Sequence, residues 1–282
     1  MKKTYTIFNM AEAVLEQKKI TRKPGAFEKR IHEVDFLRGV LMVLVIMDHL
    51  FWCLKAYNYR WWVATGMSVD LYYNVFKIFN FYWTNPIREV VRLFALCGFC
   101  FLSGISTVFS RNNWVRAGQM LLVYGIIAVG SNLLDASGIM GDQVMSIDFN
   151  VIGVLAWSTL FYCFAQNKTW RSILVGVLLT FLMCWYVVPW LSGTPMGEAY
   201  APALWKPPFQ GDWMPLFPFA FVFFLGAIFS YFIYAPTKQS IIKHRGEWER
   251  PICFLGRHTL VVYLGHQFVF IPFFMLISLF IR

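Results

Sequence analysis

Seven stretches of this chain are apolar for long enough to cross a bilayer: 36–57, 89–110, 117–135, 149–166, 171–191, 214–234 and 257–281. A crossing helix needs about 20 mostly apolar residues. The pattern predicts an all-α fold, a polytopic transmembrane helical bundle of about seven spans. Two long loops interrupt it, at 58–87 and 192–213. Within the first, the aromatic run from Asp70 to Trp83 stops at Asn85-Pro86, which predicts an interfacial or re-entrant helix near 70–83. The chain ahead of the first span, residues 1–34, is polar and basic and shows no apolar core of a cleaved signal peptide. In it, Tyr5 to Lys19 reads as a short amphipathic helix on the inner surface, closed off by Lys23-Pro24-Gly25. Two regions result: a cytosolic basic segment over 1–34 and a membrane bundle over 35–282.

Composition agrees. The chain is 58% hydrophobic and 14% charged, against about 25% charged in soluble domains. Aromatics reach 19%, and Trp and Tyr favour the headgroup level of a bilayer. The net charge of +10 would suit nucleic acid if it formed one patch, but it does not. With the N-terminus in the cytosol, the inner segments hold most Lys and Arg, including Arg38, Arg111, Arg116, Arg250 and Arg257. The outer side keeps Lys55, Arg60, Lys77, Arg88, Arg92, Lys206 and Arg282. This is the positive-inside asymmetry of a multi-pass membrane protein, with the C-terminus outside. It predicts a cell-membrane protein and no nucleic-acid partner. Cys97 and Cys100 stand three residues apart on one helix, a poor spacing for a disulfide. The six cysteines show no metal-ligand spacing and read as small buried hydrophobes, so no metal is expected.

Candidate chemistry begins in the first span, where Arg38, Asp48 and His49 stand among apolar residues. An ionisable group at the bilayer centre costs about 2.5–3.5 kcal/mol on insertion scales. Eleven helical steps of about 100° return to within about 20°, so Arg38 and His49 share a face, about 16 Å apart along the axis. Asp35 falls within about 40° of that face. A neutral imidazole in low dielectric is suited to take a proton from an attacking hydroxyl or amine; it is equally suited to bond a neighbouring helix. Asp48 either orients His49 or pairs with another helix. Asp35 and Arg38 form either an i,i+3 salt bridge or a clamp for a phosphorylated cytosolic donor. Arg88 and Arg92 share a face at the outer end of the second span, as snorkelling groups or as substrate ligands. Ser103 and Gly104 suit close helix packing. In the last span, Tyr263, His266 and Gln267 lie on one side, in a polar helix contact or a substrate pocket, with His266 roughly 13 Å in from Arg257. Asp212 precedes Pro215 and Pro218 at the opening of the sixth span, which predicts a bent, water-lined outer end.

Four of these runs share a pattern. Arg30 to Gly39 leading to His49, Phe99 to Gly104, Asp212 to Pro218 followed by Phe224 to Gly226, and Phe254 to Leu260 followed by Tyr263 to Gln267 resemble, in order, the heparan-α-glucosaminide N-acetyltransferase-like membrane acyltransferases. The resemblance extends over about 30–280. One position departs: the family's Gly-Ile-Leu-His in the fourth span reads Gly153-Val154-Leu155-Ala156. The resemblance implies transfer of an acetyl group from cytosolic acetyl-CoA to an amine or hydroxyl of an extracytoplasmic sugar or glycan. It casts His49, with Asp48, in the catalytic role. Asp35, Arg38, Ser103, Arg111 and Arg257 would meet the acyl donor, and Arg88, Arg92, Asp212, Tyr263, His266 and Gln267 the acceptor. Direct transfer and an acetyl-histidine intermediate both fit.

Two other classes compete. Ionisable groups paired inside a bundle also build proton relays, so a transporter or proton-coupled permease is the alternative; the absence of a visible inverted repeat speaks against it. The other is a catalytically silent partner in envelope synthesis. The expected partners are the bilayer and a sugar or glycan, with a homo-oligomer left open.

Overall fold

The computed structural model describes residues 31–57, 69–137, 147, 149–165, 214–234, 240–242 and 246–280. Their helices are α1 His32–Tyr57, α2 Val69–Thr84, α3 Pro86–Ile105, α4 Asn113–Ala136, α5 Val151–Ala165, α6 Leu216–Ile233, α7 Arg250–Arg257 and α8 Thr259–Phe280. Single 3-10 turns occur at Ser106–Val108 and Glu247–Glu249. All regular structure among the described residues is helical, as the apolar periodicity predicts.

Among the described residues, three helical segments are long and apolar enough to cross a membrane: His32–Cys53, Pro86–Val108 and Asn113–Leu133. They coincide with the first three expected spans. The fourth, sixth and seventh fall on shorter apolar helices, Val151–Ala165, Pro218–Ile233 and Thr259–Phe274. The fifth, 171–191, lies outside the described residues, as do the expected helix at Tyr5–Lys19 and the loop 192–213. The expected helix near 70–83 is present as α2. It ends where Asn85 accepts the Ile87 amide and Pro86 opens α3 at a position that needs no amide donor.

The chain divides into two compact units: residues 30–99 with 240–282, and residues 100–239 with the N-terminal segment. In the unit that holds α1, the acidic first turn, Glu33 and Asp35, suits the positive end of the helix dipole. Helices α1 and α7 meet backbone to backbone. A Cβ on Gly39 would lie 1.9 Å from the Ile252 carbonyl oxygen, and one on Gly256 would lie 1.7 Å from that of Asp35. Only hydrogen fits at either place. Helix α7 breaks at His258, whose amide bonds the Leu255 and Phe254 carbonyls, and Thr259 restarts the chain as α8 by donating to the Gly256 carbonyl at 2.9 Å.

The other unit repeats the device. A Cβ on Gly104 would lie 1.9 Å from the Phe223 carbonyl oxygen, and one on Gly226 would lie 2.0 Å from that of Phe101. Ser230 locks this crossing by donating to the Ile105 carbonyl at 2.8 Å. Asn112 caps α4 through the Trp114 and Val115 amides, and the fully buried Asn150 caps α5 through those of Ile152 and Gly153. One face of α4 carries Leu122, Ile126, Val129 and Leu133, each between 61% and 66% exposed. An uninterrupted apolar stripe of this kind suits lipid contact.

The glycine contacts generate a prediction. Gly256→Ala forces α1 and α7 apart and should cost about 1–3 kcal/mol or more, read as a lowered thermal midpoint of the detergent-purified protein. Gly118→Ala and Gly125→Ala meet nothing within 4 Å, and should leave stability unchanged or raise it by up to about 1 kcal/mol through helix propensity. Equal stability of Gly256→Ala and Gly118→Ala would contradict the close crossing.

Candidate active site

The unit that holds α1 gathers most of the ionisable residues singled out from sequence. Along α1 they fall into three groups. At its start, Asp35 is buried and receives the Arg257 Nε at 3.2 Å. Among the described residues Arg257 bonds through Nε alone, and its side chain is 44% exposed, so the rest of the guanidinium is available to an anion. Arg38 lies half-buried one turn further along α1. Beside them His32 presents Nε2 to Glu249 at 2.5 Å and Nδ1 to the Cys253 thiol at 3.6 Å. Glu33 accepts from the Ser240 hydroxyl and from the Ile241 amide at 2.7 Å. These bonds tie the start of α1 to the segment around α7.

Deeper in α1, Asp48 pairs with another helix, the second of its two sequence readings. Arg88 donates to both of its carboxylate oxygens, Nε to Oδ1 at 2.7 Å and Nη2 to Oδ2 at 3.0 Å. Tyr82 donates its hydroxyl to Oδ1 at 2.8 Å. The Arg88 guanidinium lies 3.6 Å from the centre of the Trp83 ring and gives Nη1 to Glu89 at 2.8 Å. Charge-assisted bonds of this kind contribute about 1.5–3 kcal/mol each, and a cation over a desolvated indole about 2 more. Burial first, and the Asp48 carboxylate second, push the Tyr82 phenol up to about 12, so it stays a donor at any physiological pH. Arg92 approaches Glu89 at 3.6 Å and is exposed.

The third group is the histidine pair. His266 Nε2 and His49 Nδ1 are 3.0 Å apart, with ring centroids at 4.7 Å. His266 is buried, and the Tyr263 ring sits 6.2 Å from that of His49 and 5.6 Å from that of His266. One ring must donate and the other accept. If His49 carries its proton on Nδ1 and gives it to His266, His49 Nε2 keeps a lone pair. That nitrogen can then take a proton, and the imidazolium formed still donates to His266. Chemically, the arrangement suits a general base with a hydrogen-bonded orienting group.

Ser103 and Arg111 belong to the other unit. Arg116 donates there to the Ser103 hydroxyl at 2.6 Å and to its carbonyl at 3.2 Å, tying α3 to α4, while Arg111 is exposed. Asp212 and the side chain of Gln267 lie outside the described residues. Sequence reasoning passed over Tyr82, Trp83, Glu249 and Arg116 as individuals. An indole and a phenol just ahead of an Asn-Pro helix start and its first-turn arginine were the available signal for the first two. Arg116 carries no local signal beyond its place among the charges of the inner surface.

Neither the curated proteins nor the solved structures include a match to this chain. The family described as Heparan-alpha-glucosaminide N-acetyltransferase, catalytic, matches residues 63–268. The match spans α2 through His266 and starts after α1, so it includes Arg88 and one member of the histidine pair. It covers well over half of the 282 residues, and the chain belongs to the heparan-alpha-glucosaminide N-acetyltransferase catalytic family.

Proposed function

We propose that this protein is an integral-membrane acetyltransferase that moves an acetyl group from cytosolic acetyl-CoA to an amine or hydroxyl of an extracytoplasmic sugar or glycan. Family membership supports the reaction class, and the observation that carries the assignment of roles is the His49–His266 hydrogen bond at 3.0 Å. Lys and Arg asymmetry supports an N-terminus in the cytosol, a C-terminus outside and residence in the cell membrane.

In this reading His49 Nε2 removes the proton of the acceptor amine or hydroxyl as that atom attacks the acyl carbon. His266 holds the imidazolium through the Nδ1–H bond, and His49 then returns the proton to the departing sulfur. The donor supplies a thioester, whose carbon–sulfur bond is the one that breaks. Tyr263, edge-on to the His49 ring and tilted against that of His266, walls this site and carries a hydroxyl suited to sugar recognition. Arg257 and Arg38 lie toward the basic, inner end of α1. There a guanidinium with donors to spare fits a phosphate of the donor.

Two measurements test the assignment. His49→Ala should lower turnover by about 10²–10⁴ while the protein still folds and binds CoA; His266→Ala should cost less, because it removes the orienting group and not the base. Near-normal turnover by folded His49→Ala protein would make His49 structural. For the donor, Arg257→Ala should weaken CoA binding by roughly 10-fold or more, the size of one lost charge-assisted bond, and leave binding of phosphate-free pantetheine unchanged. Equal losses with both ligands would show a general disturbance of the fold and reject the phosphate contact.

A further inference from the structure

The acid–base reading of His49 gives no task to its neighbour in the chain, although Asp48 accepts hydrogen bonds from both Arg88 and Tyr82. We propose that Tyr82, Asp48 and Arg88 form a positioning device for the histidine pair. They fix the turn of α1 that carries His49, so that its ring meets His266, and Tyr82 and Arg88 act on acyl transfer only through that alignment. The proposal rests on the assignment of His49 as the base.

The geometry argues for it in three steps. Asp48 and His49 are successive helical residues, so their side chains diverge by about 100°. One points to the α2–α3 junction and the other to α8, where each finds a hydrogen-bonded partner. Any rotation of α1 about its axis therefore moves both contacts together. At the outer radius of a helix, about 5–6 Å, a turn of 10° displaces a side chain by about 1 Å. Directed along the 3.0 Å nitrogen–nitrogen contact, that shift would stretch it to about 4 Å, beyond hydrogen-bond range; directed across it, the shift would spoil the angle.

The second step is that Tyr82 grips this turn twice. Its hydroxyl bonds Asp48, and its ring stacks on Phe51, also on α1, with centroids 4.1 Å apart and planes 16° apart. The residues that flank His49 at positions 48 and 51 are thus held by one side chain of α2. The third step is the stiffness of the other partner. Arg88 meets the carboxylate with two parallel bonds, lies against the Trp83 indole and gives a further donor to Glu89. A bidentate guanidinium fixes angle as well as distance. A misplacement of about 1 Å at a reacting group costs on the order of 10² in rate, so alignment of this kind has a measurable consequence.

Tyr82→Phe tests the proposal with least disturbance, since it removes one oxygen and keeps the ring that stacks on Phe51. We expect kcat to fall about 5–10-fold, with KM for acetyl-CoA unchanged and the thermal midpoint lowered only by the loss of one hydrogen bond to a carboxylate. Arg88→Met should lower kcat by about 10², and Arg88→Lys, which keeps the charge but loses the two-bond geometry, should recover part of that. The decisive readout is independent of turnover. The chain has 5 histidines, so ¹⁵N-histidine labelling in detergent gives a sparse spectrum. The nitrogen–nitrogen coupling across the His49–His266 hydrogen bond should be present in the wild type and lost in Tyr82→Phe and Arg88→Met. Loss of kcat together with loss of the coupling supports the device. An unchanged coupling in folded variants overturns it, whatever happens to kcat, and leaves the assignment of His49 as base standing. Absence of the coupling from the wild type would instead overturn the histidine pair itself. Should Arg88→Met fail to fold, Tyr82→Phe alone decides.

Discussion

Taking a carboxylate out of water costs several kcal/mol, and α1 carries Asp35 and Asp48 among apolar residues. The cost is offset only where another segment supplies a cation in good geometry. Asp48 obtains Arg88 from the start of α3, 40 residues on, and Asp35 obtains Arg257 from the end of α7, 222 residues on. The imidazole of His49 meets its partner on α8, 217 residues on. Each pairing decides where an element of this unit must stand relative to α1. Removing Arg88, which is itself buried, leaves Asp48 without its cation; a charge stranded in a fully buried pair costs about 3–5 kcal/mol. The same requirement that holds the unit together therefore also assembles its chemistry along one helix.

Glycine decides how closely those elements approach. The four sequence runs that resemble the family meet in two pairs. Gly39 in the first run faces the backbone next to Gly256 in the last, and Gly104 in the second faces the backbone next to Gly226 in the third. Each crossing lies within one unit and excludes any side chain. Part of the sequence signature is thus a packing signature: it brings backbones close enough for short bonds such as Ser230 to Ile105. The charged members of the runs, Asp35 and Arg257, flank the first crossing and are bonded to each other across it.

Much of this was legible in the chain. Apolar run length gave α1, α3 and α4 within a few residues, and the Asn-Pro stop gave the end of α2, because these depend on local composition alone. The common face of Arg38 and His49 followed from helical period, and His266 was placed at a depth approaching that of His49. What period cannot tell is which distant helix stands opposite. An azimuth of about 100° between Asp48 and His49 left two readings for Asp48, and only the fold brought Arg88 and Tyr82 to it. The burial of Arg88 is likewise a tertiary property that helical period does not carry. The span count depends on apolar length in the same way, and α5, at 15 residues, is shorter than its sequence window.

The account joins a family reaction to a proton acceptor placed inside a membrane helix, with donor groups at one end of that helix and an acceptor expected from the other side. Sealed vesicles containing the purified protein test this directly. Acetyl-labelled acetyl-CoA is enclosed inside, and glucosamine is supplied outside only. The account predicts labelled acetyl-sugar in the outer medium, with free CoA thiol accumulating inside in equal amount. Label that reaches sugar only when both substrates share one side, or proton movement on adding sugar without any acetyl transfer, would contradict it.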